Sequence, residues 1–430
     1  MALELGVIAD DLTGGMMVAS LLEREGVRCP LVTSAEALGD LDAEADAVVV
    51  GKKLRLIPAA DARNEVSAIG RALKAIDAKR IYYKYCATFD CTDEGNIGPA
   101  AEALLAVTGG DRVIFAPAFP EYSVTVFQGR LFVGDKLLSE SFKQYDPVTP
   151  MTNANLVQVL KPQMTEPVGV ISHRVLHRGL AAARDYVDAQ IASGTRAFVI
   201  DSVDDDDVTR VAELVDDWAV TTGGDALPGF LARQWLPADH PPGDRTVLPA
   251  APGHEAVIAG SCAPPTLRQV DDFETRHPVF RIDLVESGDG VLDEIRSWAA
   301  EHVPRGPVAV STSADVAGVE RAQNALGRDE AAARADRLLG EAAKILYELG
   351  VRKLVVAGGE TSGQVFGALG IRQVEVGSFD DLSGGYCFSH APGPLAMVVK
   401  AGGLGNATFF EYALERMRRS EQRTEADNER

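Results

Sequence analysis

The sequence predicts an α/β protein of two domains, each a mostly parallel sheet covered by helices, with the active site in the cleft between them. Short β-rich runs alternate with stretches of helical apolar period along nearly the whole chain, the pattern of strands joined by crossover helices. Residues 237–254, PADHPPGDRTVLPAAPGH, hold five prolines and two glycines without either period and read as a linker. The 430 residues, 46% of them hydrophobic, exceed one ordinary core and leave either half enough to bury its own.

The elements follow in order. LELGVIA at 3–9 reads as a strand, followed by a helix over 16–25. AVVV at 47–50 precedes DARNEVSAIGRALKAIDA at 61–78, whose apolar residues recur at helical spacing. RIYYK at 80–84, a helix over 97–107 and RVIFA at 112–116 come next. Strands at 168–172 and 197–201 continue the alternation, with helices after Gly179 and after Asp207. Beyond the linker stand a strand at 256–261, a helix from Pro265, a strand at 279–285 and a helix at 290–302. Strands at 308–313, 353–359 and 395–400 complete the set, with a long helix at 329–349. The closing MRRSEQRTEADNER is charged and aperiodic and reads as a disordered tail. The expected division is 1–236, a linker at 237–254, 255–417, and a tail at 418–430.

Composition excludes several functions. A formal net charge of −21 argues against nucleic acid, whose phosphates call for surplus Lys and Arg. An anionic ligand must then meet a local positive site. The first residues lack the basic-then-apolar layout of a signal peptide, and no apolar run approaches the roughly 18 residues of a membrane span. Five cysteines, Cys29, Cys86, Cys91, Cys262 and Cys387, show no CxxC spacing. They read as reduced thiols of a cytoplasmic protein without a zinc site.

Four constellations could carry chemistry. Asp10 and Asp11 end the first apolar run, before Thr13, Gly14 and Gly15. Two carboxylates at a strand's carboxyl end can grip sugar hydroxyls, and one can take a proton from an attacking hydroxyl. Asp11 or Thr13 capping the next helix explains the pattern equally well; the glycines read as a tight turn into that helix. KYCATFDCTDEGNIGP at 84–99 offers Lys84, Thr88, Asp90, Thr92, Asp93 and Asn96, a set suited to an anionic polyol, though composition alone favours a polar loop. VVAGGETSG at 355–363 runs a strand into Gly358, Gly359, Glu360, Thr361, Ser362 and Gly363. Small residues there let backbone N–H groups approach an anion at a helix N-terminus, or form a glycine turn with a capping box. KAGGLGN at 400–406 repeats the theme. His173 and His177 stand four apart, but without an acidic third ligand a structural role is favoured over a metal. No GxSxG occurs, so covalent hydrolase chemistry has no support. The Asp204–Asp207 run reads as a solvated helix start.

Taken together, IADDLTG, KYCATFDCTDEGNIGP, APAFP, QGRLFVGDKLL, TPMTNANL, GSCAPPTLRQ and GGETSG occur in an order that resembles the four-carbon acid sugar kinase family across nearly the whole chain. The 3-oxo-tetronate branch is the nearest in its KYC-TFD and FQGRLFVGD segments. The resemblance implies an N-terminal sugar-acid domain, a C-terminal ATP domain, and transfer of the γ-phosphoryl group to a terminal hydroxyl of a 3-oxo sugar acid. On matching positions, Asp10 and Asp11 would hold the sugar acid and activate its hydroxyl. Lys53, Arg55 and Lys84 would meet its carboxylate, with Thr88 alongside. Ser261, Gly358, Gly359, Glu360, Thr361, Ser362, Gly402 and Gly405 would hold ATP. Mg²⁺ would ride on the nucleotide, with no metal site of the protein's own, and a homodimer fits the expectation. Departures from the family pattern fall at Gly15, Met16 and Met17, at Leu54, at Val124, and at Ala401, Gly403 and Leu404.

Three other functions compete. A kinase for a related 3-oxo acid, such as 3-oxo-isoapionate, would use the same chemistry. A ligand-binding pseudokinase would have lost transfer. A dinucleotide-dependent oxidoreductase lacks its glycine fingerprint after the first strand.

Overall fold

The computed structural model describes residues 3–41, 44–146, 148–243, 248–288, 290–379 and 385–428. The chain forms two compact units that part between Asp244 and Arg245. Within the stretch read as a linker, Gly243 N–H bonds Arg24 O at 2.9 Å in the first unit, whereas Leu248 and Ala251 are buried in the core of the second. The prolines therefore lie along both units, and the boundary is sharper than composition suggests.

The first unit is a sheet of eight parallel strands: β1 (Leu5–Ala9), β2 (Leu31–Val32), β3 (Ala47–Gly51), β4 (Arg80–Lys84), β5 (Val113–Ala116), and, past a small separate sheet, β9 (Val168–Ile171), β10 (Ala197–Ile200) and β11 (Val220–Gly223). Their order is β2-β3-β1-β4-β11-β5-β10-β9. β1 is buried at all of its five residues, as a central parallel strand covered on both faces must be. Ala9 stands level with Gly51 on one side and Lys84 on the other, so three strands end together. From β1 the chain runs to the edge strand β2, returns to β3 beside β1, and then crosses to β4 on the other side of β1. The crevice between β1 and β4 is thus the point where strand order reverses, the place where open α/β sheets bind ligands.

The small sheet is an antiparallel meander, β6 (Val124–Phe127), β7 (Arg130–Val133) and β8 (Lys136–Leu137). Its first turn puts Gln128 and Gly129 at φ of 50° and 67°, the left-handed pair of a two-residue hairpin.

The second unit carries β12 (His254–Ala259), β13 (Val279–Arg281), β14 (Val308–Ser311), β15 (Val351–Ala357), β16 (Gln373–Val376), β17 (Gly385–Ser389) and β18 (Leu395–Lys400). The order is β13-β14-β12-β15-β18-β17-β16, parallel as far as β18 and antiparallel beyond it. The same logic places a second reversal between β12 and β15. The predicted strand at 279–285 is shorter, ending at Arg281.

In the stretch expected to be a tail, the last helix runs Phe409–Asn428; residues 429–430 lie outside the described residues. The polar face of the helix is tied to the sheet at two positions. Arg418 Nε bonds Glu255 Oε1 at 2.9 Å, and Tyr386 donates to the buried Ser420 Oγ at 2.8 Å. Such pairs are invisible to a reading of local periodicity. Among the described residues, no helix is long and apolar enough to cross a membrane.

Arg418→Met should leave the mostly buried Glu255 carboxylate without its cation and cost about 1–2 kcal/mol. Calorimetry should show a midpoint several degrees below that of the native chain; an unchanged midpoint would mean the last turns of the helix contribute nothing.

Candidate functional site

Helix Leu12–Arg24 begins directly after Asp11, four residues earlier than the apolar pattern suggests. Asp11 is its N-cap, with Oδ1 accepting Gly14 N–H at 2.6 Å. Capping uses one carboxylate oxygen and leaves Oδ2 for Arg55, which donates to it through Nη2. Capping and ligand-directed roles are therefore compatible in this residue. Gly14 and Gly15 lie inside the helix and do not form the expected turn. Gly14 serves close approach, since a Cβ there would overlap the Lys84 ammonium.

Asp10, 2% exposed, is fixed by backbone on two sides: its N–H bonds Lys84 O at 3.0 Å, and its C=O accepts Leu54 N–H at 2.9 Å. Arg55 grips its carboxylate in a fork, Nε to Oδ2 and Nη2 to Oδ1, both 2.8 Å. One guanidinium thus bridges both aspartates. Its Nη1 makes no hydrogen bond among the described residues and points its donors at no protein acceptor. The loop that carries Arg55 is pinned by Asn96, whose side chain donates to Leu54 O.

Lys84, 3% exposed, ends β4 and pairs with Asp225 at 3.3 Å. Asp225 follows β11, the strand beside β4, so the strand-end rule could have found it, although the sequence reading did not. Three carboxylates, Asp10, Asp11 and Asp225, face two cations, Arg55 and Lys84. Burial pushes the Asp10 carboxyl up, and the Arg55 charge and hydrogen bonds only partly offset it. Burial pushes Asp11 up too, but Arg55, Lys84 and the Gly14 N–H outweigh it and bring it down to about 2. Two effects set the difference: Asp10 is the more deeply enclosed, and Asp11 sits at a helix N-terminus. Lys84 is held well above the ordinary lysine range, because Asp225, Asp11 and Asp10 overcome the cost of burying it.

A second polar chain continues from β4. Cys86 Sγ lies 3.0 Å from Thr88 Oγ1, which donates to Asp90 Oδ1 at 2.7 Å. Asp90 accepts Lys143 Nζ at 2.8 Å, and Lys143 reaches Asp146 at the same distance. Lys143 is 7% exposed and was missed by sequence reasoning, since it follows the meander with no glycine or strand-end signal. Burial pushes the Cys86 thiol up to about 11 and the Cys91 thiol up to about 12, so neither is a nucleophile near neutral pH. Lys53 is exposed on the loop after β3. Leu54 and Val124, two of the departures from the family pattern, are buried packing residues.

In the second unit the predicted loops converge on the reversal between β12 and β15. Ser261 follows β12, and its N–H bonds Ala357 O at 3.2 Å. Gly358, at φ 135°, opens helix Gly359–Leu369, and its N–H bonds Lys400 O at 3.0 Å. Ser362 Oγ donates back to Gly358 O at 2.7 Å. Thr361 and Ser362 are buried, and Glu360 is exposed. Gly402 lies against Ser261, where a Cβ would overlap the hydroxyl. Gly405 is held by Gln269, which donates to Leu404 O and Asn406 O at 3.0 and 2.9 Å. Thr312 and Ser313, after β14, carry buried hydroxyls without a hydrogen-bond partner among the described residues. Their Ser-Thr-Ser run at a strand end was the signal available in sequence.

The histidine pair is corrected in one respect, since an acidic neighbour exists. His173 and His177 stack with centroids 3.8 Å apart, and His177 Nε2 lies 2.7 Å from Asp207 Oδ1. Asp207 also accepts Val203 N–H at 3.1 Å, just before the helix N-cap Asp204, with Arg210 3.5 Å away. It is fully buried, so the Asp204–Asp207 run is not solvated throughout.

Residues 5–229 match the family described as "Sugar-binding N-terminal domain", and residues 256–410 match "Nucleotide-binding C-terminal domain". A 3-oxo-tetronate kinase of Burkholderia multivorans is 38% identical over 414 residues, covering 95% of this chain and 96% of that protein. The chain belongs to the four-carbon acid sugar kinase family. A second family member, the 3-oxo-tetronate kinase of Methylobacterium radiotolerans, is 38% identical over 97% of this chain and 100% of its own length. A crystal structure from Salmonella typhimurium LT2 superposes with a TM-score of 0.83 at 31% identity, covering 96% of this chain and 98% of that one. A Haemophilus influenzae structure gives 0.76 at 29%, covering 95% and 99%. The sugar-binding match contains the Asp10, Asp11, Arg55, Lys84 and Asp225 cluster, and the nucleotide-binding match contains Ser261 and both glycine loops.

Gly14→Ala tests the close approach in this family's sugar-binding half. Alanine suits a helix better than glycine, so the fold should hold while the new Cβ drives Lys84 off its position. Sugar-acid affinity is expected to fall about tenfold or more while MgATP affinity stays unchanged, read by titration of the folded variant with each ligand.

Proposed function

We propose that the protein transfers the γ-phosphoryl group of ATP to a terminal hydroxyl of a 3-oxo sugar acid, as a cytoplasmic 3-oxo-tetronate 4-kinase. The observation that carries this is Arg55, one edge on two aspartates and its Nη1 without an acceptor among the described residues. A planar cation fixed in this way suits a substrate carboxylate, while the aspartates beside it suit hydroxyls. The names of the relatives, 3-oxo-tetronate kinases at 37–38% identity, support the substrate class.

In this reading Asp11 takes the proton of the attacking hydroxyl. Its side chain is 25% exposed, against 2% for Asp10, so it is the carboxylate a ligand can reach. At about 2 it is a weak base, which a loose phosphoryl-transfer transition state tolerates because the hydroxyl proton leaves late. Drawing Arg55 toward the substrate carboxylate would strengthen it. Asp10 keeps Arg55 oriented, and Lys84 offsets the charge that gathers as the anionic acid enters.

The nucleotide phosphates would lie over Ser261, the Gly358–Ser362 turn and Gly402 to Gly405, with Thr312 and Ser313 as further hydroxyl donors. These loops present hydroxyls and backbone N–H groups, with no carboxylate cluster among the described residues. That donor set suits Mg²⁺ carried on the phosphates rather than held by the protein. When bound, the ion neutralises phosphate charge.

ADP release with MgATP, measured against 3-oxo-tetronates of both configurations, 3-oxo-isoapionate and the parent tetronates, tests the proposal. Turnover of a 3-oxo-tetronate is expected. Asp11→Asn should lower kcat by about 10²–10⁴-fold and leave the ATP Kd within about twofold. ATP binding without turnover of any of these acids would overturn the kinase reading, and equal loss of ATP binding in Asp11→Asn would make Asp11 a folding residue.

A further inference from the structure

Lys400 is a buried cation that the reading above does not use. It ends β18 with 0% exposure. Its ammonium donates to Thr266 Oγ1 at 3.0 Å and to Gly402 O at 3.3 Å, and Thr266 Oγ1 donates to the same carbonyl at 2.8 Å. The Phe409 ring lies 5.7 Å away. Among the described residues no carboxylate stands within the 4.0 Å of an ion pair. Every other strongly buried cation noted above, Lys84 and Lys143, has one.

An ammonium enclosed by neutral groups is costly, and a methionine of similar length would avoid the cost. The surroundings show what the charge faces. Gly402, whose carbonyl it holds, abuts Ser261 so closely that a Cβ would overlap its hydroxyl. The Lys400 carbonyl receives Gly358 N–H at 3.0 Å, and Thr266 sits in the first turn of helix Pro264–Glu274. Lys400 therefore lies under the junction of the loops after β12, β15 and β18.

We propose that Lys400 is the fixed countercharge for the nucleotide's phosphates, a positioning residue that acts from beneath the glycine loop without touching the ligand. This rests on the nucleotide reading of the second unit. The anion that completes the charge arrives with the ligand, and the hydrogen bond to Gly402 O holds the loop shaped to receive it. Burial brings the Lys400 pKa down to about 8, so the ammonium remains charged near neutral pH and is relieved by a neighbouring anion.

The test is calorimetric titration of the full chain with MgATP, MgADP and adenosine, for the native protein, Lys400→Met and Lys400→Gln. The glutamine keeps a donor for Thr266 and Gly402 and removes the charge. Both variants should weaken MgATP on the order of tenfold to a hundredfold, which is 1.4 kcal/mol per tenfold, weaken MgADP less, and leave adenosine unchanged. Their melting temperatures without nucleotide should stay level or rise, since a buried unpaired charge has gone. Equal weakening of all three ligands, or a lowered melting temperature with unchanged discrimination, would make Lys400 structural and overturn the proposal. MgATP affinity unchanged in either folded variant would also overturn it. Failure of the native chain to bind MgATP would instead bring down the nucleotide reading itself.

Discussion

The fork between Arg55 and Asp10 is the constraint on which the sugar-binding half depends. It joins the end of β1 to the loop after β3, and that loop is held in turn by Asn96. Because the guanidinium spends its Nε edge on Asp10 and shares Nη2 with Asp11, its orientation is set before any ligand arrives. Preorganisation of this kind lowers the ordering cost of binding. The cluster holds three carboxylates for two cations; burial is what makes Asp10 resist ionisation, whereas Arg55, Lys84 and the Gly14 N–H keep Asp11 ionised. In the proposed reading an acid sugar entering here would meet a cation already in place, offered by Arg55 Nη1 and Lys84.

The two units solve a similar problem with different chemistry. Each puts its candidate ligand loops where strand order reverses, between β1 and β4 in one and between β12 and β15 in the other. The first lines that point with ionised side chains for a small polar acid. The second lines it with glycines, hydroxyls and helix starts, which suit the spread charge of phosphates. The glycine at each site is there for space. Gly14 admits Lys84, and Gly402 admits Ser261.

Much of this was legible in the sequence. The alternation of β-rich runs and helical periods predicts two α/β units, and strands such as Arg80–Lys84 and Leu395–Lys400 fall where the residues place them. Asp10, Asp11, Lys84 and the glycine loops were proposed from their places in the sequence, and they do stand at strand ends, where such folds bind ligands. What escaped was set by tertiary contact. Asp225 and Lys143 join the site through partners 141 and 53 residues away in sequence. The meander at 124–137 was read only as a motif, although its Gln128-Gly129 turn was a local signal. The final helix looked like a tail because its support, Glu255 and Tyr386, lies on distant strands.

The central claim is that the Asp11, Arg55, Lys84 and Asp225 network receives an acid sugar while the second unit independently receives the nucleotide. Thermal unfolding of the full chain with each ligand, for the native protein and Lys84→Met, tests it most directly. The account predicts that a 3-oxo-tetronate raises the melting temperature of the native chain and not that of Lys84→Met, while MgATP raises both alike. An equal sugar-acid shift in the two proteins would contradict it.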